Sequence, residues 1–90
     1  MTRRLHLELD QTASAVAKRQ AGDLHRRYHP APIPAEMRRA AELGFLRGAE
    51  RALGDEGVGG DLAATLGRLH KHYRATFEAA LHRLSGRALH

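Results

Sequence analysis

Paired basic residues are the most frequent feature of this sequence that could do chemistry. Arginine supplies thirteen of the fifteen Lys and Arg residues, and its planar guanidinium matches the geometry of phosphate oxygens. Two pairs flank a proline-rich connector, so an up-down order of helices brings both pairs and the end of a third helix together. The predicted phosphate-contacting residues are Arg26, Arg27, Arg38, Arg39, Arg83 and Arg87, with His82 beside them.

The same cations also fit a solvated surface. Adjacent residues diverge by ~100° around a helix axis, so each pair spreads over the surface. Several arginines also have an acidic residue four positions away, such as Arg19 with Asp23 and Arg38 with Glu42. The basic pairs therefore predict either contact with nucleic acid phosphates or an ordinary charged surface.

Two histidines have a spacing that is found in metal sites. His25 and His29 stand four residues apart, which puts both imidazoles on one face of a helix. His82 approaches the same end in the predicted topology, but no carboxylate completes a recognisable motif. We therefore predict no metal site, and a pH-sensitive surface is the alternative use of these histidines.

Catalytic constellations are missing from the sequence. Zero cysteines exclude thiol nucleophiles and iron–sulfur clusters. Ser14 and Ser85 have no nearby His and Asp arrangement in sequence, and Asp55 and Glu56 lie in a glycine-rich segment rather than in a pocket. That segment lacks the Lys-Ser/Thr ending of a phosphate-binding loop. We predict a non-enzymatic protein without a cofactor.

Length and composition bound the fold. Ninety residues with 42% hydrophobic and 4% aromatic content predict a single domain, 1–90, with a thin core. Without disulfides, such a core is expected to gain support from self-association or from a larger protein partner. The net charge of +5 favours an anionic partner. Without a membrane-spanning run or a signal peptide, the protein is expected to be cytoplasmic, with no membrane contact.

Apolar periodicity predicts an all-α fold. Helices are expected at 11–28, 34–53 and 61–85, with a proline connector at 29–34 and a glycine-rich loop at 54–60. The expected architecture is a three-helix antiparallel bundle or a hairpin-like helical protein, completed by dimerisation. The clearest apolar stripe is that of the third helix: Leu62, Leu66, Leu69, Tyr73, Phe77, Ala80 and Leu84.

The first residues and the helix ends carry local signals. Leucines alternate with polar residues over residues 4–9, which fits either a short strand or an extension of the first helix. Pro34 suits the first position of the second helix, and Asp61 suits the N-cap of the third. Gly54 and Gly86 are the predicted stops of the second and third helices.

The second helix carries apolar residues on two roughly opposite sides. Leu43, Leu46 and Leu53 form one side, and small residues recur every four positions on the other. Glycine inside a helix costs ~1 kcal/mol relative to alanine, so close helix packing is the expected reason for these glycines. Another helix of this chain or a second subunit is expected there. The predicted interface residues are Ala40, Gly44, Gly48 and Ala52.

The segment Arg-Leu-His-Leu-Glu-Leu-Asp at 4–10, followed by two helices, resembles the opening of ribbon-helix-helix DNA-binding proteins. The resemblance covers about half of the chain. It implies a dimer whose paired strands enter the major groove, with Arg4, His6 and Glu8 toward the DNA, and a role as a repressor or antitoxin. The long first helix and the triple-proline connector depart from that family.

Two classes of function follow from these patterns. The first is a small basic regulator or nucleoprotein subunit that contacts nucleic acid phosphates. The second is a protein interaction module that docks a partner through the small-residue ridge and the leucine faces of its second helix. Both are non-enzymatic and both are compatible with self-association.

Overall fold

Three long helices make up nearly all of the chain described by this computed structural model. It describes the backbone of residues 3–55 and 62–88, and the side chains of residues 8–54 and 62–86. The helices are α1 (Arg3–Tyr28), α2 (Ala35–Asp55) and α3 (Leu62–Ala88), and these described ranges contain no strand. The prediction of an all-α three-helix bundle is confirmed.

The bundle has an up-down-up topology. Asp10 and Ser14 of α1 bond to Arg68 and His72 of α3, so both helices run in the same direction. On α2, Arg38 pairs with Glu78 and Glu42 pairs with His70, so α2 runs antiparallel to α3. The C-terminal ends of α1 and α3 therefore lie at the same end of the bundle as the N-terminal end of α2.

The tightest helix pair is α1 with α3, because α1 presents alanines to its partner. Ala17 and Ala21 are 0% exposed and Ala13 is 1% exposed. Side chains this small let the two helix axes lie close together, as ridges and grooves interlock. The α3 stripe is buried as predicted at Leu69, Tyr73 and Phe77. The rest of the buried core is Leu24, Phe45 and Leu53.

Tyr73 is the residue that ties the three helices together. Its ring stacks on Phe45 of α2 with centroids 4.3 Å apart, and packs against Phe77 at 5.7 Å. Its hydroxyl donates to Gln20 Oε1 of α1. Gln20 Nε2 in turn donates to the backbone carbonyl of Ala41 in α2 at 3.2 Å. One buried phenol and one amide thus link α3 to α1 and α1 to α2.

The first helix is longer than its predicted range. It begins at Arg3 instead of residue 11. Of the two predicted alternatives for residues 4–9, a strand or an extension of the first helix, the structure has the helix. Leu9 lies one turn before Ala13 and packs against the core. The strands of a ribbon-helix-helix protein form between two chains, whereas here the segment's backbone bonds are made within α1.

The end of α1 at Tyr28 matches its prediction, and the boundaries of α2 and α3 differ from prediction by one to three residues. Pro34 precedes α2, and its carbonyl accepts bonds from Met37 N and Arg38 N at 3.0 and 3.2 Å. Gly54 and Gly86 lie inside the last turns of α2 and α3, and neither has a positive φ. Glycine permits the left-handed conformation that ends a helix but does not impose it. Asp61 and residues 56–60 lie outside the described residues.

Replacing Tyr73 with phenylalanine tests the hydroxyl bridge. The substitution keeps the aromatic stack but leaves the half-buried Gln20 oxygen without its donor, which costs about 1–3 kcal/mol of unfolding free energy. Urea unfolding followed by circular dichroism measures this loss. The matched control is Tyr28→Phe, because the Tyr28 hydroxyl makes no hydrogen bond in the described part of the chain and its removal should cost less than about 0.5 kcal/mol. Equal stabilities for both variants would contradict the bridge.

The same tyrosine predicts a loss of stability at high pH. Burial, and secondarily the negative charge of Glu42, raise the pKa of Tyr73 from 10.0 to about 12. The folded state then keeps the phenol proton after the unfolded chain has lost it. The free energy of unfolding should fall by up to about 1.4 kcal/mol per pH unit between pH 10 and 12, with no contribution below that window. Denaturation at several pH values measures this slope, and Tyr73→Phe should lack it.

Candidate functional site

The predicted basic residues lie at one end of the bundle, but their surroundings differ. Arg26 forms an ion pair with Asp23 of its own helix. Arg38 forms an ion pair with Glu78 of α3, and its guanidinium lies over the Phe77 ring at 5.8 Å. Two of the predicted phosphate contacts therefore already have carboxylate partners within the chain.

Three further arginines of this set are exposed. Arg27, Arg39 and Arg83 have exposed side chains and form no ion pair with the described residues. Arg39 lines a cleft between α2 and α3 of about 330 Å³ that also contains Arg38 and Arg74. Glu42 and Glu78 line the same cleft and offset much of its positive charge. The Arg87 side chain lies outside the described residues, and His82 is exposed.

A groove between α1 and α2 is a largely apolar concave surface of the described chain. It has a volume of about 290 Å³, and its floor consists of the buried residues Phe45, Leu53 and Leu69. The α1 wall contains Leu9 and Val16. The groove arises because α2 packs on Tyr73 of α3 and diverges from α1 beyond the Gln20–Ala41 bond. Its other lining residues are Thr12, Ala13, Arg19, Gln20, Gly44, Gly48, Ala49 and Ala52.

Three of the four predicted interface residues, Gly44, Gly48 and Ala52, line the α2 side of this groove. All four small residues of the ridge are exposed. A Cβ added at Gly44 or Gly48 would meet no atom within 4 Å. Close packing within this chain is made by the alanines of α1 instead, and the α2 ridge remains open. The four residues are Ala40, Gly44, Gly48 and Ala52.

The charges around the groove are positive. Arg19 is the only charged residue among those that line it. Arg47 and Arg51 are exposed and follow Gly44 and Gly48 by three residues, so they lie beside the ridge on the helix surface. None of these three arginines forms an ion pair with the described residues. The groove is therefore an apolar surface with cations that have no carboxylate partner.

A serine–histidine pair was missed by sequence reasoning. Ser14 Oγ lies 2.7 Å from His72 Nε2, although the two residues are 58 positions apart. This distance suits proton transfer from a hydroxyl to an imidazole. The carboxylate of Asp10, one turn away, is bonded to Arg68 and does not orient His72. The pair fastens α1 to α3, and only the relative register of the two helices could have revealed it.

The predicted histidine pair is formed at the connector. The rings of His25 and His29 lie 4.7 Å apart and are tilted by 32°. The described residues contain no group of three or more side chains that could hold a metal ion. The His29–Pro30 peptide bond, which opens the connector, is cis.

Comparison of the chain with protein-family models, curated proteins and solved structures finds no match. Over the described residues, none of the three helices combines the length and apolarity that crossing a bilayer requires. Function is therefore inferred from the chemistry of the chain's own surfaces.

Substitution of the two ridge glycines by alanine tests whether the groove is open. Each added Cβ meets empty space, and alanine is the better helix former by ~1 kcal/mol, so Gly44→Ala with Gly48→Ala should stabilise the protein by about 1–2 kcal/mol. Thermal unfolding should show a rise of several degrees. A fall in stability, together with loss of a dimer in light scattering, would place a second copy on the ridge.

Proposed function

We propose that this protein is a non-enzymatic helical interaction module that binds an acidic amphipathic helix of a partner protein in the α1–α2 groove. The observation that carries the proposal is the open apolar groove whose small-residue wall is exposed. Contiguous apolar surface facing water is typical of interaction sites. Recognition of an amphipathic helix by an apolar groove is a recurrent mode of binding between proteins.

The arginines around the groove favour an acidic partner. Arg19, Arg47 and Arg51 have no carboxylate partner in the described chain. Four other arginines each have one: Arg26, Arg38, Arg68 and Arg74. Carboxylates flanking the apolar face of a docked helix would complement these cations and orient it. Packing of two copies ridge against ridge would instead bring their Arg47 and Arg51 side chains together, which like-charge repulsion disfavours.

Binding of a designed peptide helix tests this proposal. The probe is a fluorescent helical peptide with leucines at heptad spacing flanked by glutamates, and a second peptide replaces the glutamates with lysines. The glutamate peptide should bind at least about tenfold more tightly at low salt, because each exposed charge pair contributes ~0.2–1 kcal/mol and several act together. Fluorescence anisotropy with the full chain measures both affinities.

A pair of glycine variants provides the matched control for this experiment. Gly48→Leu fills the groove and should weaken binding at least about tenfold, since the leucine occupies the space of a partner side chain. Gly67→Leu places the same side chain on the exposed face of α3, where a Cβ also meets nothing within 4 Å, and should leave binding unchanged. Equal binding by both variants, or preference for the lysine peptide, would refute the proposal.

Contact with nucleic acid phosphates is the second candidate function. It is favoured by Arg27, Arg39 and Arg83, which are exposed and unpaired among the described residues at one end of the bundle. Unpaired cations contribute fully to phosphate binding, whereas Arg26 and Arg38 share their charge with carboxylates. A regulator of the ribbon-helix-helix kind would in addition require residues 4–9 to leave α1 and pair as strands in a dimer.

Salt dependence distinguishes the second candidate from the first. If the end of the bundle binds nucleic acid, duplex and single-stranded oligonucleotides should bind with an affinity that falls steeply between 50 and 200 mM salt. Arg27→Ala with Arg83→Ala should weaken this binding. The slope of log affinity against log salt concentration should decrease by about 2, one for each phosphate contact removed. Arg47→Ala with Arg51→Ala, beside the groove, is the matched control. No binding at 50 mM salt would exclude this candidate.

A further inference from the structure

A cavity at the connector end contains hydrogen-bond donors that the fold does not use. It has a volume of about 290 Å³ and lies between the proline connector and the ends of α1 and α3. His25 lines it from α1, His29 from the connector, Arg38 from α2 and Ser85 from α3. Its remaining lining consists of connector residues and Leu81, and none of the lining residues is a carboxylate. We call this space the connector cavity.

Three of the polar side chains that line the connector cavity, His25, His29 and Ser85, lack side-chain partners within the described chain. The rings of His25 and His29 contact each other, and neither ring forms a hydrogen bond with a described residue. The hydroxyl of Ser85 is exposed and likewise has no described partner. Polar groups that converge on an apolar-walled cavity and have no partner in the fold are typical of a ligand site.

Arg38 places a positive charge close to the connector cavity. Its side chain lines the cavity, and its guanidinium is held by Glu78 and lies over Phe77 in the neighbouring α2–α3 cleft. Because a guanidinium has five N–H donors, the bond to one carboxylate leaves others for a ligand. Arg26 lies beside the same two histidines on the outer side of α1, where it shares its charge with Asp23. The carboxylates of Asp23 and Glu78 lower the local positive potential, but neither residue lines the cavity.

We propose that the connector cavity binds a phosphate group. Two imidazoles and a hydroxyl group line the cavity, with the Arg38 side chain beside them. A tetrahedral phosphate offers acceptor oxygens in several directions, whereas a carboxylate offers two in one plane. The three prolines at alternate positions restrict the connector backbone, which lowers the entropy lost when a ligand is enclosed. This site is separate from the α1–α2 groove, and its existence does not depend on the function proposed for the groove.

The experiment follows the histidine rings by NMR during titration of the full chain with inorganic phosphate at constant pH and ionic strength. The ring resonances of His25 and His29 should shift with a common saturation curve, while those of exposed His82 should not. His25→Ala with His29→Ala should weaken binding at least about tenfold, since two hydrogen bonds to a charged group are removed. His82→Ala is the matched control and should bind phosphate within about twofold of the unchanged chain.

Two further probes distinguish the source of the phosphate. A nucleoside monophosphate carries a terminal phosphate group, and a short oligonucleotide without terminal phosphates carries only diesters. Tighter binding of the monophosphate supports a small phosphorylated ligand, and tighter binding of the oligonucleotide supports nucleic acid as the source. Absence of shifts at His25 and His29 with all three probes would overturn the proposal. An equal loss of binding in the His82→Ala variant would also overturn it.

Discussion

The bridge from Tyr73 to Gln20 to the Ala41 carbonyl is the interaction on which the rest of this bundle depends. A core rich in alanine buries little apolar area per residue, so alanine packing alone holds α1 to α3 but leaves α2 weakly attached. The stacked rings of Tyr73 and Phe45 supply large apolar surfaces, and the amide of Gln20 adds direction. Together they set where α2 lies and at which point along α1 it makes contact.

The position of α2 has consequences at both ends of the molecule. Beyond the Gln20 contact, α2 diverges from α1 and leaves the apolar groove with its exposed glycine ridge. At the other end, the connector crosses from α1 to α2 and encloses the cavity lined by His25, His29 and Arg38. Both candidate binding surfaces thus result from one helix being held at its middle by a tyrosine of its neighbour.

The ion pairs distribute the excess of arginine over these surfaces. Asp10, Asp23, Glu42 and Glu78 neutralise cations along the helix seams and near the connector. Exposed pairs of this kind contribute little to stability, and their larger effect is on where positive potential remains. Positive potential remains beside the groove and at the connector end of the bundle. We therefore proposed an acidic helix as the ligand of the groove and a phosphate group as the ligand of the connector cavity.

The sequence by itself determined the helical class, the three elements, the buried stripe of α3 and the proline connector, because each follows from local periodicity and backbone restriction. It did not determine which helix faces meet. The ridge of Gly44 and Gly48 reads as a packing surface, yet the alanines of α1 make the close contact. Gln20 with Tyr73, and Ser14 with His72, are 53 and 58 residues apart, so only helix register brings them together. Register depends on how whole surfaces interlock, and no local pattern encodes that.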